Sequence, residues 1–333
     1  MKVLVSGGTG FVGKPFVRRI LTEGWHVTLI TRDARHAAPL AHENLTVHEA
    51  DVAAPDQVDR LARPGAAYDA VFHLAASLQY FGDRKELYRT NVQGTRALLD
   101  LAVQTSARKF IYASSVEAMG TVARQEVPAP ADRACTPISP YGETKVLAER
   151  LVMETARSHF PAIALRIGNV YGPDHLSFMI EIAQAVLFRT RLLEFLPIYA
   201  DRYIHPVHSD DVTEGLLAAF RSDVPAFVGT LAGEYATVGE LFQLCGEVLG
   251  QPVPLRPKRR LDQLFLIARR EFHKYERHID FITYLMAGRG RRVHRAYSIE
   301  ETRRALGFSP KVSLREGIAE TLQWARRSGV LKW

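Results

Sequence analysis

Three side chains in the middle of the chain have the types and spacing needed to move a proton to or from an oxygen atom. Tyr141 and Lys145 stand four residues apart in Tyr-Gly-Glu-Thr-Lys, at the predicted start of a helix, so they share one helix face. A lysine ammonium beside a tyrosine lowers the tyrosine pKa from its ordinary value of about 10 towards neutrality. Ser115 ends a predicted strand, with Ser114 as the second choice, and its hydroxyl would hydrogen-bond the same oxygen. The competing interpretation is an ordinary helix surface and an ordinary strand-end hydroxyl.

A glycine-rich turn near the start of the sequence indicates a different chemistry, the binding of an anion. Residues 8–13 have the G-x-G-x-x-G spacing, and residues 7–13 satisfy a second dinucleotide-binding spacing. Between a strand and a helix, such a turn lets the backbone approach a pyrophosphate, and the helix N-terminus offers free N–H groups. The alternative is that the glycines only relieve steric crowding. We expect a dinucleotide here, held by Gly7, Gly10, Phe11, Val12 and Gly13.

The end of the second predicted strand bears on which dinucleotide binds. An acidic residue about 20 positions after the glycines would accept hydrogen bonds from the ribose 2′-OH of NAD, whereas an arginine would pair with the 2′-phosphate of NADP. Here the strand ends Thr31-Arg32-Asp33, with threonine where the acid is expected. Arg32 therefore predicts that NADP(H) is preferred over NAD(H). Asp33 keeps NAD binding as an alternative. The other interpretation of Arg32 is a solvated charge at the end of the strand.

These residues lie at the ends of elements that alternate between strand and helix. Such alternation predicts an α/β protein with a Rossmann-type, doubly wound parallel sheet. The predicted strands lie in KVLVS, WHVTLITR, LTVHEADV, AYDAVFHLA, RKFIYASS and PAIALRIG. Because the alternation breaks down after about Gly172, we expect a smaller, discontinuous α/β substrate domain. The predicted nucleotide domain comprises residues 1–172 and about 203–234, and the substrate domain comprises about 173–202 and 235–333.

Composition and charge argue against several classes of protein. The 333 residues are 47% hydrophobic and 24% charged, as in ordinary globular proteins rather than disordered or collagen-like ones. Cys135 and Cys245 have no C-x-x-C partner, so neither a disulfide framework nor a zinc cage is predicted. The sequence shows no signal peptide and no uninterrupted apolar run of about 18 residues, so we expect a cytoplasmic location. The formal charge of +7 favours anionic ligands, and no metal site is expected.

Further motifs resemble the short-chain dehydrogenase/reductase superfamily, in its extended branch, the NAD-dependent epimerase/dehydratase family. They are GGTGFVG, Asp51-Val52, His73-Leu74-Ala75-Ala76, NVQGT, YASS, YGETK and RIGNVYGP, and together they cover most of the chain. The resemblance implies hydride transfer between a substrate carbon and a nicotinamide. It implies Tyr141 as the acid/base and Ser115 as the hydroxyl that stabilises the substrate oxygen. Lys145 would hold the nicotinamide ribose and tune the tyrosine.

The same resemblance implies further cofactor contacts and a partner. Asp51 and Val52 would face adenine, and the cofactor cleft would be lined by Leu74, Ala75 and Ala76. Asn91 resembles the family's helix asparagine, with a buried polar residue that fixes the backbone as an equal alternative. A homodimer through the two long helices beside the site is also expected.

The substrate half departs from the pattern of nucleotide-sugar members of the family. Many of those carry R-D-F/Y-I/V-H/Y-V-x-D, in which the arginine grips a diphosphate. Aligning His208 and Asp211 with that pattern puts Ile204 at the arginine position, although Arg202 would compensate if the loop is shifted. The usual asparagine-leucine pair after the central motif is missing as well. The candidate substrate contacts are Ser115, Asn169, His175, Phe178 and Arg202.

Apolar residues after the central motif, within 176–193, would line a lipophilic pocket, with packing between helices as the alternative. Similar reductases and 3β-hydroxysteroid-type dehydrogenases often end the second strand with arginine. We therefore predict an NAD(P)(H)-dependent oxidoreductase that interconverts a secondary alcohol and a ketone on a lipophilic, sterol-like substrate. Two alternatives stay open. One is a nucleotide-sugar epimerase or dehydratase that uses the same three residues, and the other is a non-catalytic, cofactor-bound scaffold or redox sensor.

A dense basic run interleaved with apolar clusters occupies residues 256–295. Three interpretations compete: an amphipathic lid in peripheral contact with a membrane, a basic entrance for a phosphate- or thioester-bearing substrate, and a solvated helical face. Nucleic acid is not expected as a partner, because no recognition motif accompanies the charge. The expected partners are a small-molecule substrate and a second copy of the chain.

Overall fold

The computed structural model describes residues 1–62, 66–80, 82–189, 199–253 and 293–332, and its centre is a parallel sheet of seven strands. In chain order the strands are β1 (Lys2–Ser6), β2 (His26–Thr31), β3 (Leu45–Glu49), β4 (Ala70–His73), β5 (Phe110–Ser115), β6 (Ala162–Ile167), β7 (Asn169–Tyr171), β8 (Tyr203–Ile204), β9 (Pro206–His208), β10 (Ala226–Leu231) and β11 (Ala236–Thr237). The central sheet has the order β10-β6-β5-β4-β1-β2-β3. Small two-stranded sheets pair β11 with β8 and β7 with β9. The predicted doubly wound α/β fold is confirmed, and each predicted strand lies within its segment.

Helices follow most of the strands of the central sheet. In the described part of the chain they are α1 (Gly13–Thr22), α2 (Pro55–Asp59), α3 (Arg84–Tyr88), α4 (Gly94–Gln104), α5 (Pro140–Ala156), α6 (Phe178–Phe188), α7 (Ser209–Arg221), α8 (Val238–Val248), α9 (Glu300–Leu306) and α10 (Leu314–Arg327). The sequence pattern over about 83–105 predicts one helix, whereas the structure has a π-helical turn, Arg89–Gln93, between α3 and α4. The hydroxyl of Thr95 donates to the carbonyl of Asn91 at 2.6 Å, so a side chain takes part in the bonding at this turn.

The parallel arrangement brings the carboxyl ends of the strands to one edge of the sheet. Ser6 lies opposite His73 where β1 and β4 pair, and Ser115 lies opposite Ile167 where β5 and β6 pair. Ligands of doubly wound sheets bind at this edge. The glycine turn after β1 and Ser115 at the end of β5 are therefore placed on the same side of the molecule.

Apolar side chains bury both faces of the central sheet. Phe16 of α1 and Leu216 of α7 belong to the cluster on one face, and Leu98 of α4 and Val152 of α5 belong to the cluster on the other. This two-sided burial explains why β4 and β6 are buried along their whole length.

A third cluster lies beyond the sheet and joins α6, α8 and α10 through residues such as Met179, Phe242 and Ile318. Phe308, in the half predicted to bind substrate, packs instead into the cluster of α1 and α7. The predicted domain boundaries themselves stay a prediction. The basic segment predicted at 256–295 lies outside the described residues up to residue 292. Among the helices described, none has both the length and the hydropathy needed to cross a membrane.

Candidate active site

The glycine turn connects β1 to α1, where its spacing predicts it. Gly7 has φ +73°, and a Cβ on it would lie 2.4 Å from the backbone nitrogen of Ala75. A Cβ on Gly13 would lie 2.2 Å from the carbonyl oxygen of Gly7, so α1 approaches the turn closely only because a side chain is missing. The N–H of Gly10 donates to the carbonyl of Gly7 at 3.0 Å and closes the turn. The first turn of α1 holds no acidic residue, so this cradle fits the pyrophosphate of a dinucleotide.

The predicted cofactor residue Phe11 and the predicted substrate residue His175 contact each other. Their rings stack with centroids 4.1 Å apart and planes 21° from parallel. Burial, followed by the charge of Lys14, lowers the pKa of the His175 imidazole below its ordinary value. An exposed ion pair between Arg18 and Asp174, at 2.6 Å, gives a second link. The loop after β7 therefore folds over the glycine turn, which places His175 beside that turn.

Two arginines flank the carboxylate at the end of β2. Arg32 is exposed directly after the strand, as predicted. The Asp33 carboxylate pairs with the guanidinium of Arg35 at 2.7 Å, and this hydrogen bond lowers the pKa of Asp33. The sequence did not single out Arg35. Its pairing with Asp33 competes with any hydrogen bond between that carboxylate and a ribose 2′-OH.

The residues predicted to face adenine and to line the cleft lie beside the glycine turn. The Asp51 carboxylate accepts from the backbone N–H of Ala53 at 2.9 Å and so stabilises the turn that follows it. Val52 is buried against Gly94 at the start of α4. The segment 74–76 is half-buried, and the N–H of Leu74 donates to the carbonyl of Ser6 at 3.0 Å.

Asn91 is committed to the protein backbone and to a neighbouring helix. Its amide oxygen accepts from the N–H of Ser77 at 2.8 Å, and its amide nitrogen donates to the carbonyl of Ser77 and to the hydroxyl of Thr144 at 3.1 and 3.0 Å. Both N–H groups of the amide are therefore used. This geometry favours the alternative that Asn91 fixes the backbone over a direct contact with the cofactor.

Ser115, Tyr141 and Lys145 meet at the carboxyl edge of the sheet. Helix α5 begins there because the hydroxyl of Ser139 accepts from the N–H of Gly142 at 3.1 Å and a proline occupies the first helical turn. The side chains of Tyr141 and Lys145 are both buried, on one face of the helix as predicted. The hydroxyl of Ser115 accepts from the N–H of Glu117 at 3.2 Å and acts on Tyr141, whose pKa it lowers. The structure thus assembles the serine, tyrosine and lysine that the sequence singled out.

Burial shifts the pKa values of the two titratable members of this group. The Lys145 ammonium donates to the hydroxyl of Tyr112 at 3.1 Å and to the carbonyl of Ala113 at 2.8 Å. Burial lowers the pKa of Lys145 from 10.5 to about 7, against an opposing effect of Glu149. Burial raises the pKa of Tyr141 well above 10, and its hydrogen bond with Ser115 opposes this. A neutral phenol thus lies beside an amine that titrates near neutrality, which suits proton transfer.

Ser114, the second-choice serine, is hydrogen-bonded to a buried ion pair instead. Its hydroxyl donates to the Glu149 carboxylate at 2.5 Å, and that carboxylate pairs with Arg166 at 2.8 Å. The guanidinium of Arg166 also lies 3.2 Å from the sulfur of Cys135, a free cysteine whose pKa is raised by burial. The geometry therefore favours Ser115 over Ser114, and it adds a Glu149–Arg166 pair that the sequence did not reveal.

The apolar residues predicted to line a lipophilic pocket mostly pack between helices. Met179, Ile180 and Val186 of α6 are buried in the cluster shared with α8 and α10, and Phe178 packs at its margin. Packing, the stated alternative, is thus the role of these side chains. Asn169 lies half-buried in β7, where its N–H donates to the carbonyl of His205 at 2.9 Å. The apolar residues predicted at 192 and 193 lie outside the described part of the chain.

A group of cationic and aromatic side chains, here called the arginine cluster, surrounds Tyr203. The guanidinium of Arg124 lies 5.5 Å from the Tyr203 ring centroid, and the ring of His294 lies 5.6 Å from it. Burial, then the charge of Arg295, lowers the pKa of Arg202, which is half-buried in the same group. Of these members, the sequence singled out only Arg202. His294 falls at the end of the basic run 256–295, and Arg124 was missed because it comes from a distant part of the chain.

The arginine cluster is connected to the Tyr141 region by a buried ion pair. Arg295 and Glu117 lie 3.1 Å apart, with side chains 1% and 3% exposed. The charge of Glu117 contributes to the raised pKa of Tyr141, and the N–H of Arg295 donates to the carbonyl of Tyr203 at 2.8 Å. The sheet edge that holds Tyr141 and the arginine cluster are thus parts of one continuous region.

Among the described residues, His208, Asp210 and Glu320 bring possible ligand atoms within 4.8 Å of one another. The buried imidazole of His208 lies 3.5 Å from Glu320, and its Nδ1 accepts from the N–H of Asp210 at 3.4 Å. This grouping was not visible in the sequence because Glu320 comes from α10. Both carboxylates are exposed, and the contact joins His208 at the end of β9 to Glu320 of α10.

Comparisons with known proteins agree with this geometry. Residues 3–226 match the model of the "NAD dependent epimerase/dehydratase family". The chain is 25% identical to dTDP-glucose 4,6-dehydratase of Streptomyces niveus, covering 98% of this chain and 93% of that protein. It is 27% identical to sterol demethylase protein B of Methylococcus capsulatus, covering 99% and 100%. The solved structure of MoeE5 in complex with UDP-glucuronic acid and NAD superposes with a TM-score of 0.74 at 25% identity, covering 98% and 100%.

Proposed function

We propose that this chain, which belongs to the NAD-dependent epimerase/dehydratase family, moves a hydride between a nicotinamide cofactor and a substrate carbon that bears a hydroxyl or keto oxygen. The observation that carries the proposal is the meeting of Ser115, Tyr141 and Lys145 at the sheet edge that also holds the glycine turn. A scaffold without turnover would not need a buried lysine beside a buried tyrosine, since both are costly to bury.

The three side chains divide the proton chemistry among them. When bound, the nicotinamide dinucleotide would accept or supply the hydride, held by the glycine turn and by Lys145. The Ser115 hydroxyl donates a hydrogen bond to the substrate oxygen. Tyr141 takes the proton of the substrate hydroxyl during oxidation and returns it during reduction. In its protonated form Lys145 stabilises the tyrosinate and lowers the pKa of Tyr141 towards neutrality.

A nucleotide-diphosphate sugar is the substrate class that the described residues support best. The arginine cluster presents Arg124, Arg202 and His294 around the ring of Tyr203, a combination suited to a diphosphate and a stacked base. The packing of α6 removes much of the apolar lining that favoured a lipophilic substrate. Among the relatives, dTDP-glucose 4,6-dehydratase and MoeE5 point the same way. In such a reaction the hydride returns to the substrate and the cofactor is unchanged overall.

A lipophilic alcohol or ketone is the second candidate, as first predicted. Ile204 is buried at the position where nucleotide-sugar members often carry arginine. The similarity to sterol demethylase protein B extends over almost the whole of both chains. A substrate of this class would leave the cofactor oxidised or reduced after each turnover.

The two candidates are separated by ligand binding and by the fate of the cofactor. Thermal unfolding with saturating NADPH or NADH would be measured against UDP-, dTDP- and GDP-sugars and against sterols and hydrophobic ketones. A ligand at 100 times its Kd adds about 2.7 kcal/mol of stability, which is readily seen in the midpoint. Stabilisation by nucleotide sugars without net change in cofactor absorbance supports the first candidate. Stabilisation by the apolar compounds alone, with net cofactor turnover, rejects it.

Cofactor preference rests on the residues after β2. The exposed Arg32 and the Arg35–Asp33 pair favour NADP, whereas the related MoeE5 binds NAD. We therefore keep NADP(H) over NAD(H) as a proposal for this chain. Kd values of NADPH and NADH, measured by cofactor fluorescence for the wild type and Arg32→Ala, test it. The proposal expects about tenfold weaker NADPH binding in the variant with NADH unchanged, and tighter binding of NADH by the wild type rejects it.

A homodimer through α4 and α5 is proposed from the family resemblance. Supporting it, Val103 on α4 and Leu147 on α5 are large apolar side chains that are 39% and 38% exposed. The cytoplasmic location and the membrane contact of residues 256–295 stay predictions.

A further inference from the structure

Behind Lys145 the structure contains a buried chain of polar side chains that the proposed mechanism does not use. The hydroxyl of Tyr112 accepts from Lys145 at 3.1 Å, and the side chain of Thr95 acts on the same hydroxyl and lowers its pKa. Nε2 of His73 lies 3.0 Å from the hydroxyl of Thr95, and Nδ1 lies 2.8 Å from the hydroxyl of Ser6. All four residues are no more than 1% exposed. We call this group the Tyr112 chain.

Counting donors and acceptors fixes the direction of every hydrogen bond in the Tyr112 chain. The single proton of Thr95 is donated to the carbonyl of Asn91 at 2.6 Å, so its oxygen can only accept from the other neighbours. His73 therefore carries its proton on Nε2, and the hydroxyl of Ser6 donates to Nδ1. Because the oxygen of Tyr112 accepts from Lys145, its own proton is available to Thr95, whose oxygen accepts. A lone pair of Tyr112 is thus held facing the ammonium.

The hydrogen bonds of the Tyr112 chain can keep this direction because His73 stays neutral. Burial, followed by the charge of Lys145, lowers the pKa of His73 to about 3. Burial raises the pKa of Tyr112 well above its ordinary value, so its phenol stays protonated. The charged or titratable groups that act on Lys145 are Tyr112 of β5, His73 of β4, and Tyr141 and Glu149 of α5, with Glu149 itself paired to Arg166 of β6.

We propose that Tyr112 is a positioning residue for Lys145, held by Thr95 and His73 so that the ammonium keeps one N–H directed at the cofactor and Tyr141. Two of the three ammonium protons go to Tyr112 and Ala113, which leaves one for the ribose hydroxyls and the phenolate. The proposal rests on the function proposed above, since it assigns Lys145 to the cofactor. The same acceptor favours the protonated form of Lys145, because a hydrogen bond to an ammonium stabilises its charge.

The test measures the Kd of NADH, or of NADPH if it binds tighter, by fluorescence as a function of pH, for the full-length wild type and Tyr112→Phe. Phenylalanine keeps the ring and removes only the acceptor. The proposal expects the pH midpoint at which binding weakens to move down by about one unit, because a hydrogen bond to a charged group is worth about that much. Tyr68→Phe changes a buried tyrosine that is not part of the Tyr112 chain. It is the matched control and should not move the pH midpoint.

Two further variants keep the test decisive. Lys145→Met should abolish this pH dependence, which assigns the midpoint to Lys145. Thr95→Val, which removes the partner of the Tyr112 proton at nearly constant volume, should shift the midpoint in the same direction by a smaller amount, and it serves if Tyr112→Phe does not fold. A midpoint unchanged in both Tyr112→Phe and Thr95→Val would overturn the proposal. These outcomes concern cofactor binding alone, so they are separate from a failure of the proposed catalysis, which would appear as retained turnover in Tyr141→Phe.

Discussion

Ser115 and Ser114 are adjacent in sequence but have different surroundings, and this difference gives a test at the scale of single residues. The hydroxyl of Ser114 donates to the Glu149 carboxylate of α5 at 2.5 Å, whereas that of Ser115, at the end of β5, accepts from the N–H of Glu117 at 3.2 Å and lowers the pKa of Tyr141. Adjacent side chains of a strand point to opposite faces of the sheet, but the sequence could not say which serine faces the site.

Ser115→Ala should lower kcat by about 10²-fold or more, since it removes a hydrogen-bond donor to the reacting oxygen. Ser114→Ala is the matched control, because it removes a hydroxyl one residue away. It should lower the free energy of unfolding by about 1 kcal/mol with a much smaller effect on kcat. Steady-state kinetics and denaturant titration of both variants check this, and equal losses of kcat would reject the assignment.

The buried ammonium of Lys145 makes a second prediction, for stability against pH. Its pKa is about 7 in the folded protein and about 10.4 in an unfolded chain. Between these values the unfolded chain binds more protons, so the free energy of unfolding rises with pH, by at most about 1.4 kcal/mol per pH unit from this group. Denaturant titrations should show this rise in the wild type relative to Lys145→Met. Lys85→Met, at an exposed position, should follow the wild type. A constant difference between wild type and Lys145→Met over this range would contradict the folded-state pKa.

At the scale of elements, the strand-turn-helix unit at the start of the chain depends on Gly13. A Cβ there would lie 2.2 Å from the carbonyl oxygen of Gly7. Because neither atom can move away by rotating a side chain, the turn must open. Gly13→Ala should therefore weaken dinucleotide binding at least about tenfold and lower the thermal midpoint. Gly24→Ala is the control: its φ of +76° is strained for alanine, but no atom lies within 4 Å of the added Cβ. It should lower stability only, and weakened dinucleotide binding in this control would contradict a specific role for the turn.

The elements themselves were largely predictable, because parallel strands buried on both faces give apolar runs and the glycine turn has a fixed spacing. Contacts between distant segments were not. The pairs Glu149–Arg166 and Arg295–Glu117 depend on which residues the fold brings together. The apolar pattern of α6 is equally compatible with a pocket wall and with helix packing, and only the positions of α8 and α10 decide for packing.

At the scale of the whole molecule, the exposed apolar side chains of α4 and α5 predict self-association. Leu147→Glu and Val103→Glu would each place a charge in the proposed interface and should shift the protein from dimer to monomer in light scattering coupled to gel filtration. Leu176→Glu, at a residue 66% exposed on neither helix, is the control and should leave the mass unchanged. A monomeric wild type would reject the proposed dimer.

The account as a whole depends on Tyr141, and its most direct test is turnover by Tyr141→Phe with the substrate that the ligand panel identifies. Phenylalanine fills the same buried space but cannot take or return a proton. The account predicts that turnover falls by about 10³-fold or more while the Kd of the dinucleotide changes by less than about threefold, with Tyr68→Phe retaining full activity. Turnover of Tyr141→Phe within about tenfold of the wild type would show that another group moves the proton and would contradict the mechanism.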